Sequence, residues 1–419
     1  MAKYVAELVF TPSSYPEYTY VQRSDQRLEA TLGEALATRG LIWSIIGPSK
    51  SGKTVLVEKV VGRRSLIPVS GAGLRDSDDV WSRVLDWMGR PSQVVTAAER
   101  SQTMSAELKV SGETGIPLVA KGKAETSGGL GSGRKKATEE TQSRHGLQQV
   151  VREIANSGFV VLIDDFHYVD RAVQQKIAQE CKEAARQGVH ICIASVPHRA
   201  DDVIRANPDL RGRVLSIDTS YWRTEDLILI ADGFGLLNMR MAAGPVQRFA
   251  TESAGSPQLM QAICLNACFV LDIRETLDDP TEVNISGATV EEILRRTCAL
   301  TNYSSLTDII RRGPKERGVE RLTYKFRTGD EGDIYACILK ALKQDPPRLS
   351  FPYEELKKRV EALCTGQSPR GVGITNSVVS MHDLALDRMP RERAIEWDRE
   401  RQVLDIVDPY FLFYIRWCS

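Results

Sequence analysis

The spacing of apolar and polar positions divides the chain into three stretches of different rhythm. In the first, short unbroken apolar runs recur at Leu41–Ile46, Ser65–Val69, Phe159–Ile163, Val189–Ser195 and Val214–Ile217. Runs of this length read as strands buried on both faces. Between them lie segments of helical period: Val55–Val61, Asp76–Met88, Leu147–Ala155 and Ala172–Gln187. Asp76–Met88 opens on acids, which suits a helix dipole, and Val80, Val84 and Trp87 share one face. Strands alternating with helices predict an α/β fold with a parallel sheet. Ahead of them, Leu28, Leu32 and Leu36 mark an amphipathic helix. Residues 103–146 break the rhythm. Glu107–Glu125 is a set of β-like pieces interrupted by Gly and Pro, and Thr126–Lys136 is Gly/Ser-rich and ends Arg134-Lys135-Lys136. This predicts an insertion between the second and third strands, with a basic tip. Its two readings are a mobile surface loop and a segment that orders on a partner or nucleic acid.

The second stretch is helical. Ile228–Leu237 and Val290–Leu300 have helical period. Gly255 and Pro257 break the chain just before an apolar helix, Leu259–Leu271. That break aims a helix start back toward the core, so a ligand there would bias the angle of the segment. The third stretch begins with a basic bridge: Arg311, Arg312, Lys315, Arg317, Arg321, Lys325 and Arg327, set against Glu316 and Glu320, with Tyr324 and Phe326 interleaved. It reads either as a solvated linker or as a contact for a nucleic-acid backbone. Helices follow at Asp333–Leu342, Tyr353–Leu363 and Ile374–Leu386. A hairpin comes next, Ile395-Glu396-Trp397 and Val403–Ile406 around a tip at Asp398–Arg401. Three helices and a hairpin predict a winged helix. Ile374–Leu386 contains no Lys or Arg, and Arg370 alone lies on its approach, which favours packing against protein over reading a DNA groove. The expected domains are thus a core at 1–219, a helical lid at 220–310, and the basic linker with winged helix at 311–419.

Composition changes this picture little. The 419 residues are 42% hydrophobic, ordinary for a globular chain of two or three domains. Lys+Arg and Asp+Glu are equal at 55 each, so any basic surface is local. No apolar run approaches the ~20 residues of a membrane span, and Met1–Phe10 lacks the layout of a signal peptide. The eight cysteines form no CxxC pair and no metal spacing with the five histidines, so buried thiols in a cytoplasmic protein are expected.

The chemistry concentrates after the first strand. Gly47-x-x-x-x-Gly52-Lys53-Thr54 is a complete Walker A pattern, preceded by a strand and followed by a helix. Gly47 and Gly52 let the backbone turn with its amides inward, Lys53 supplies a charge for phosphates, and the Thr54 hydroxyl suits Mg²⁺. The expected nucleotide contacts are Gly47, Pro48, Ser49, Lys50, Ser51, Gly52, Lys53, Thr54 and Val55, with Arg23 at the base and Pro257 from the lid. The third strand ends in Asp164-Asp165, a Walker B arrangement. Asp164 joins Thr54 in the expected metal shell, and Asp165 is the expected base or orienter for water. Many ATPases carry Glu at this second acid, and Asp reaches one carbon less far. At the end of the fourth strand, Ser195 and Arg199 are alternative γ-phosphate sensors. Arg211 and Arg213, before the fifth strand, read either as a solvated pair or as arginine fingers reaching a neighbouring subunit.

The order of these motifs resembles that of AAA+ ATPases. Ser220–Leu227 is similar to the lid entry of the origin-recognition branch and of STAND NTPases, and Gly255-Ser256-Pro257 is similar to the Gly-x-Pro segment of the STAND lid. Gln258 stands near the position where typical AAA+ lids carry a sensor arginine, a departure that favours a STAND-like switch over a fast motor. The tail Ile406–Trp417 is similar to winged-helix ends of prokaryotic STAND-type ATPases. The resemblance implies a P-loop NTPase core that binds ATP and Mg²⁺, hydrolyses slowly, oligomerises with nucleotide and regulates a separate effector protein, antiviral defence being one setting. Two other readings stay open. One is an origin-recognition-like ATPase that contacts DNA through Arg134–Lys136 or Arg311–Arg327. The other is a scaffold that holds nucleotide without turnover.

Overall fold

The computed structural model describes residues 3–23, 26–89, 146–196, 207–219, 222–299, 301–314, 321–389 and 394–419. The apolar runs form five strands: β1 (Ile42–Ile46), β2 (Leu66–Ser70), β3 (Val160–Asp164), β4 (His190–Ser195) and β5 (Val214–Asp218). They make one parallel sheet in the order β2-β3-β4-β1-β5. Side chains alternate between the faces of a strand; both faces of the inner strands β3, β4 and β1 are covered, and the edge strands β2 and β5 leave alternate residues exposed. Trp43, Ile45 and Leu162 pack under the helices Leu28–Ala37 and Lys53–Val61. Ile42, Ile67, Ile163 and Ile191 pack under Asp78–Trp87, residues 146–154 and Arg171–Arg186. This is the α/β P-loop core expected from the sequence. The chain moves from β1 out to β2 and returns through β3 to β4, which opens a crevice at the carboxyl ends of the strands, the usual ligand position in such sheets. The predicted insertion and its Arg134–Lys136 tip lie outside the described residues, apart from residue 146.

The second unit joins the helices Thr224–Ile228, Ala243–Glu252, Pro257–Val270 and Gly287–Cys298 around one apolar cluster. A short parallel pair, Met239–Met241 with Thr281–Val283, was not foreseen. Leu229–Leu237, expected as α-helix, is a 3₁₀ segment. Gly233 within it has no room for a side chain: a Cβ there would lie 2.6 Å from Thr19 and 2.9 Å from Phe10. The N-terminal Ala6, Val9 and Phe10, counted above with the core, therefore pack into this lid cluster instead.

The third unit holds Ser304–Arg312, Ile334–Leu342, Tyr353–Leu363 and Gly371–Arg388 around a second apolar cluster. The predicted hairpin, Ile395–Asp398 with Val403–Ile406, gains a third antiparallel strand, Ser350–Pro352. The basic bridge differs from its expectation. Tyr324 and Phe326 are 9% and 3% exposed and belong to the core, so they are not available to stack on bases. Arg321 donates to Asp333 at 2.9 Å and lies over the Tyr335 ring. Residues 315–320 of that bridge lie outside the described residues. The final helix, Pro409–Trp417, places Phe411 and Leu412 in this cluster but Tyr410 and Phe413 in the lid cluster. Cys298 and Cys418 are joined as a disulfide across 6.2 Å between Cα atoms, a correction to the thiol reading for those two; the other six cysteines are free and buried. Among the described residues no helix is long and apolar enough to cross a membrane.

Candidate nucleotide-binding site

The loop between β1 and the helix Lys53–Val61 sits at the carboxyl end of the sheet and is held from three sides. Gly47 donates its amide to the Ser195 carbonyl at 3.1 Å. A Cβ on Gly47 would lie 2.1 Å from Thr219 Oγ1, so only glycine fits. Thr219, just after β5, donates its hydroxyl to the Ile46 carbonyl at 3.0 Å and lies 3.1 Å from Ser51 Oγ. On the lid side, Trp222 Nε1 donates to the Ser51 carbonyl at 2.8 Å and Ser256 Oγ donates to the Lys50 carbonyl at 3.3 Å. Gly52 takes φ +89°, left-handed backbone that glycine adopts without penalty.

The chemical groups converge inside this frame. Lys53 is buried and donates Nζ to the Gly47 and Pro48 carbonyls, each at 2.8 Å. Burial pushes its ammonium below the ordinary lysine value, opposed by Asp164 and Asp165. Thr54 donates its hydroxyl to Asp164 Oδ2 at 2.8 Å. Asp165 follows in left-handed backbone, φ 56°, and its amide donates to Asp164 Oδ1 at 2.8 Å. Burial raises the Asp165 carboxyl above its usual range, Asp164 raises it further, and Lys53 draws it back. Gly71 completes the turn: its amide donates to the Asp164 carbonyl at 2.6 Å, and a Cβ there would crowd the Asp165 carbonyl at 2.5 Å.

A cavity of about 420 Å³ opens over these groups. Of the residues singled out in the sequence, Ser49, Lys50, Ser51, Gly52, Lys53, Thr54, Val55, Arg23, Pro257, Asp164 and Asp165 line it, as does Gln258. Gly47 and Pro48 act from behind, through their carbonyls. Ser195 does not line the cavity. It ends β4 beside Ile46, and its hydroxyl is buried without a hydrogen-bond partner. Arg199 lies outside the described residues. Arg211 and Arg213 are exposed and stand before β5, where the Arg213 carbonyl accepts from Ile42 at the start of β1. They lie at the amino end of a sheet whose carboxyl end holds the cavity, about 16 Å away for a five-residue strand.

Sequence reasoning missed two walls. Thr11–Val21 closes the cavity on one side. Tyr15 and Tyr20 stack with centroids 6.2 Å apart, Lys59 sits over Tyr20, and Tyr20 donates to Glu29 at 2.6 Å. This irregular segment has no periodicity to reveal it. Trp222 is the other: besides tying down Ser51, its ring carries the Arg23 guanidinium at 4.5 Å. An indole between a strand exit and a lid helix was the available signal.

Neither a family model nor a curated protein matches the chain. Solved structures do. A Walker-type ATPase of Pyrococcus abyssi is similar over 96% of this chain and 99% of its own, with a TM-score of 0.50 and 12% identity. The likeness is one of fold, an α/β P-loop NTPase core. Cdc6p from Pyrobaculum aerophilum is similar over 97% of this chain and 96% of its own, at TM-score 0.43 and 12% identity. The RuvB Holliday junction branch migration motor of Thermotoga maritima is similar over 92% of each chain, at TM-score 0.40 and 11% identity.

Proposed function

We propose that this chain binds ATP with Mg²⁺ in the cavity at Ser49–Val55 and hydrolyses it slowly, as a nucleotide-dependent switch of the AAA+ type with a STAND-like lid. The observation that supports it most is the convergence of Lys53, Thr54, Asp164 and Asp165 on one cavity at the carboxyl end of β1 and β3. Lys53 and the loop amides bind the phosphates. Thr54 Oγ1 and the Asp164 carboxylate are hard oxygens 2.8 Å apart, which suits magnesium. When bound, the ion neutralises phosphate charge. Asp165 takes the proton of the attacking water or orients it. Its raised carboxyl is the better base once ionised. Ser195 lies behind the loop, off the cavity, and its carbonyl holds the Gly47 amide. Within the third unit, the helices Ile334–Leu342, Tyr353–Leu363 and Gly371–Arg388 with the three-stranded sheet are read as a winged helix that packs against protein, since Tyr324 and Phe326 are buried and Gly371–Arg388 carries Arg388 alone, at its end.

Nucleotide titration of the purified chain tests the site. Lys53→Ala should weaken ATP binding at least about tenfold, the loss of a charged hydrogen-bonding partner. Asp165→Asn should bind normally and lose turnover, because an amide cannot accept the proton. Undiminished turnover in Asp165→Asn removes that residue from its role.

A further inference from the structure

Lys50 stands in the phosphate loop with φ 64°, a conformation that an L side chain holds only when its surroundings impose it. The surroundings are on the far side of the loop. Its Nζ donates to both oxygens of Asp408, at 2.8 and 2.6 Å, and lies 4.3 Å from the centre of the Tyr410 ring. Tyr303 donates its hydroxyl to the same carboxylate at 2.6 Å. The two charged side chains are 28% and 19% exposed, so water screens this pair less than a surface pair. Asp408 has a second duty. It caps the final helix, accepting the Tyr410 amide at 2.9 Å. Lys50 and Gln258 line the nucleotide cavity and also a second cavity of about 350 Å³, whose other wall is Thr301–Tyr303 and Tyr410. Lys50 therefore belongs to the wall of the nucleotide cavity while its ammonium is held by a carboxylate that anchors the C-terminal helix.

We propose that Asp408 competes with a bound nucleoside triphosphate for Lys50, so that filling the phosphate site loosens the seat of Pro409–Trp417 on the loop. This rests on the ATP site proposed above. A phosphate chain brings several negative charges to one side of the ammonium, and its attraction to Asp408 falls as that charge is shared. Coupling of this kind is reciprocal: what weakens the pair on nucleotide binding strengthens nucleotide binding when the pair is removed. The rival role, a pair that only holds the loop in shape, predicts the opposite sign.

The test uses the full chain and the slowly hydrolysed analogue ATPγS. Asp408→Asn keeps an oxygen for the helix cap and for Tyr303 but removes the charge. It should bind ATPγS roughly fivefold or more tightly than the wild type. Amide hydrogen exchange on the wild-type chain supplies a second reading that no substitution can spoil: ATPγS should speed exchange in 408–417. Equal or weaker binding by Asp408→Asn, or slower exchange in 408–417 with ATPγS, overturns the competition. No ATPγS binding by the wild type overturns the site reading and this inference together; binding that Asp408→Asn leaves unchanged overturns this inference alone.

Discussion

Asp165 and Lys53 are each displaced from their ordinary acidity by the same cause, burial beneath the loop, and each partly corrects the other. For Asp165 the consequence is kinetic. Only its ionised form accepts a proton, and its carboxyl is raised, so turnover should climb with pH along a limb displaced above the usual carboxylate range. A pH profile at saturating ATP checks this; a limb at ordinary aspartate acidity would show that water reaches the carboxyl freely. Asp78 offers the matching test on stability. Burial, then Glu180, Asp76 and Asp79, push its carboxyl up to about 6, and one oxygen is buried without a partner. The folded chain holds that proton more tightly than the unfolded chain. Stability from this group is therefore present below pH 4 and is lost as pH rises toward 6. Asp78→Asn should raise stability by about 1 kcal/mol at pH 8, solvent screening considered, and change little at pH 3.5. Urea titrations at the two pH values would show it. An equal gain at both would point to packing instead. The motif residues were legible one at a time because each answers to phosphate or metal chemistry. Thr219 and Trp222 were not, since what they do for the loop depends on which strand end and which helix the fold brings beside it.

At the scale of elements, the periodicities were read well where burial is complete. The inner strands β3, β4 and β1 were visible because both faces are covered, and the edge strands β2 and β5, each exposed at alternate residues, because their runs are short and mostly apolar. The Leu229–Leu237 segment was misread because its conformation answers to Phe10 and Thr19 crossing Gly233, a contact between distant parts of the chain. Tyr324 and Phe326 were misplaced for the same reason: aromatic residues among arginines read as a surface, yet they pack on Ile334–Leu342 and its neighbours. Another tie between elements was equally invisible. Glu252 ends the helix Ala243–Glu252, and its side chain is 0% exposed. It accepts from Arg416 at 2.9 and 2.8 Å, from Trp417 Nε1 at 2.8 Å, and pairs with Arg248 at 2.8 Å. Removing one partner of such a network leaves buried charge uncompensated. Glu252→Ala should cost about 3–5 kcal/mol, with Glu252→Gln costing less because it keeps an acceptor. Denaturant unfolding measures both; a loss below 1 kcal/mol for the alanine variant would mean that Arg416 finds Asp345 sufficient.

At the scale of the whole molecule, the final helix belongs to two units at once, through Tyr410 and Phe413 on one side and Phe411 and Leu412 on the other. The lid and the third unit therefore cannot move independently while that helix is seated. Among the described residues, Arg23 is the one arginine that lines the cavity. Gln258 lines the cavity from the lid. Arg23 faces the cavity but is engaged with the Thr219 carbonyl and the Trp222 ring. Arg211 and Arg213 are exposed at the amino end of the sheet, with their own cavity at the other end, so the trans role expected of them requires a neighbouring chain. An arginine supplied in trans is worth orders of magnitude in rate. Active protein is thus expected to be a multimer whose specific activity rises with concentration. Arg211→Ala or Arg213→Ala should bind ATP normally and turn over slowly. Mixing either with Asp165→Asn should restore part of the activity, since one class of mixed interface pairs an intact acid with an intact arginine. Two defects acting on the same chain's own site cannot complement in this way. Activity per chain that is independent of concentration, together with a mixture that stays inactive, would remove both arginines from the reaction and leave them as solvated surface.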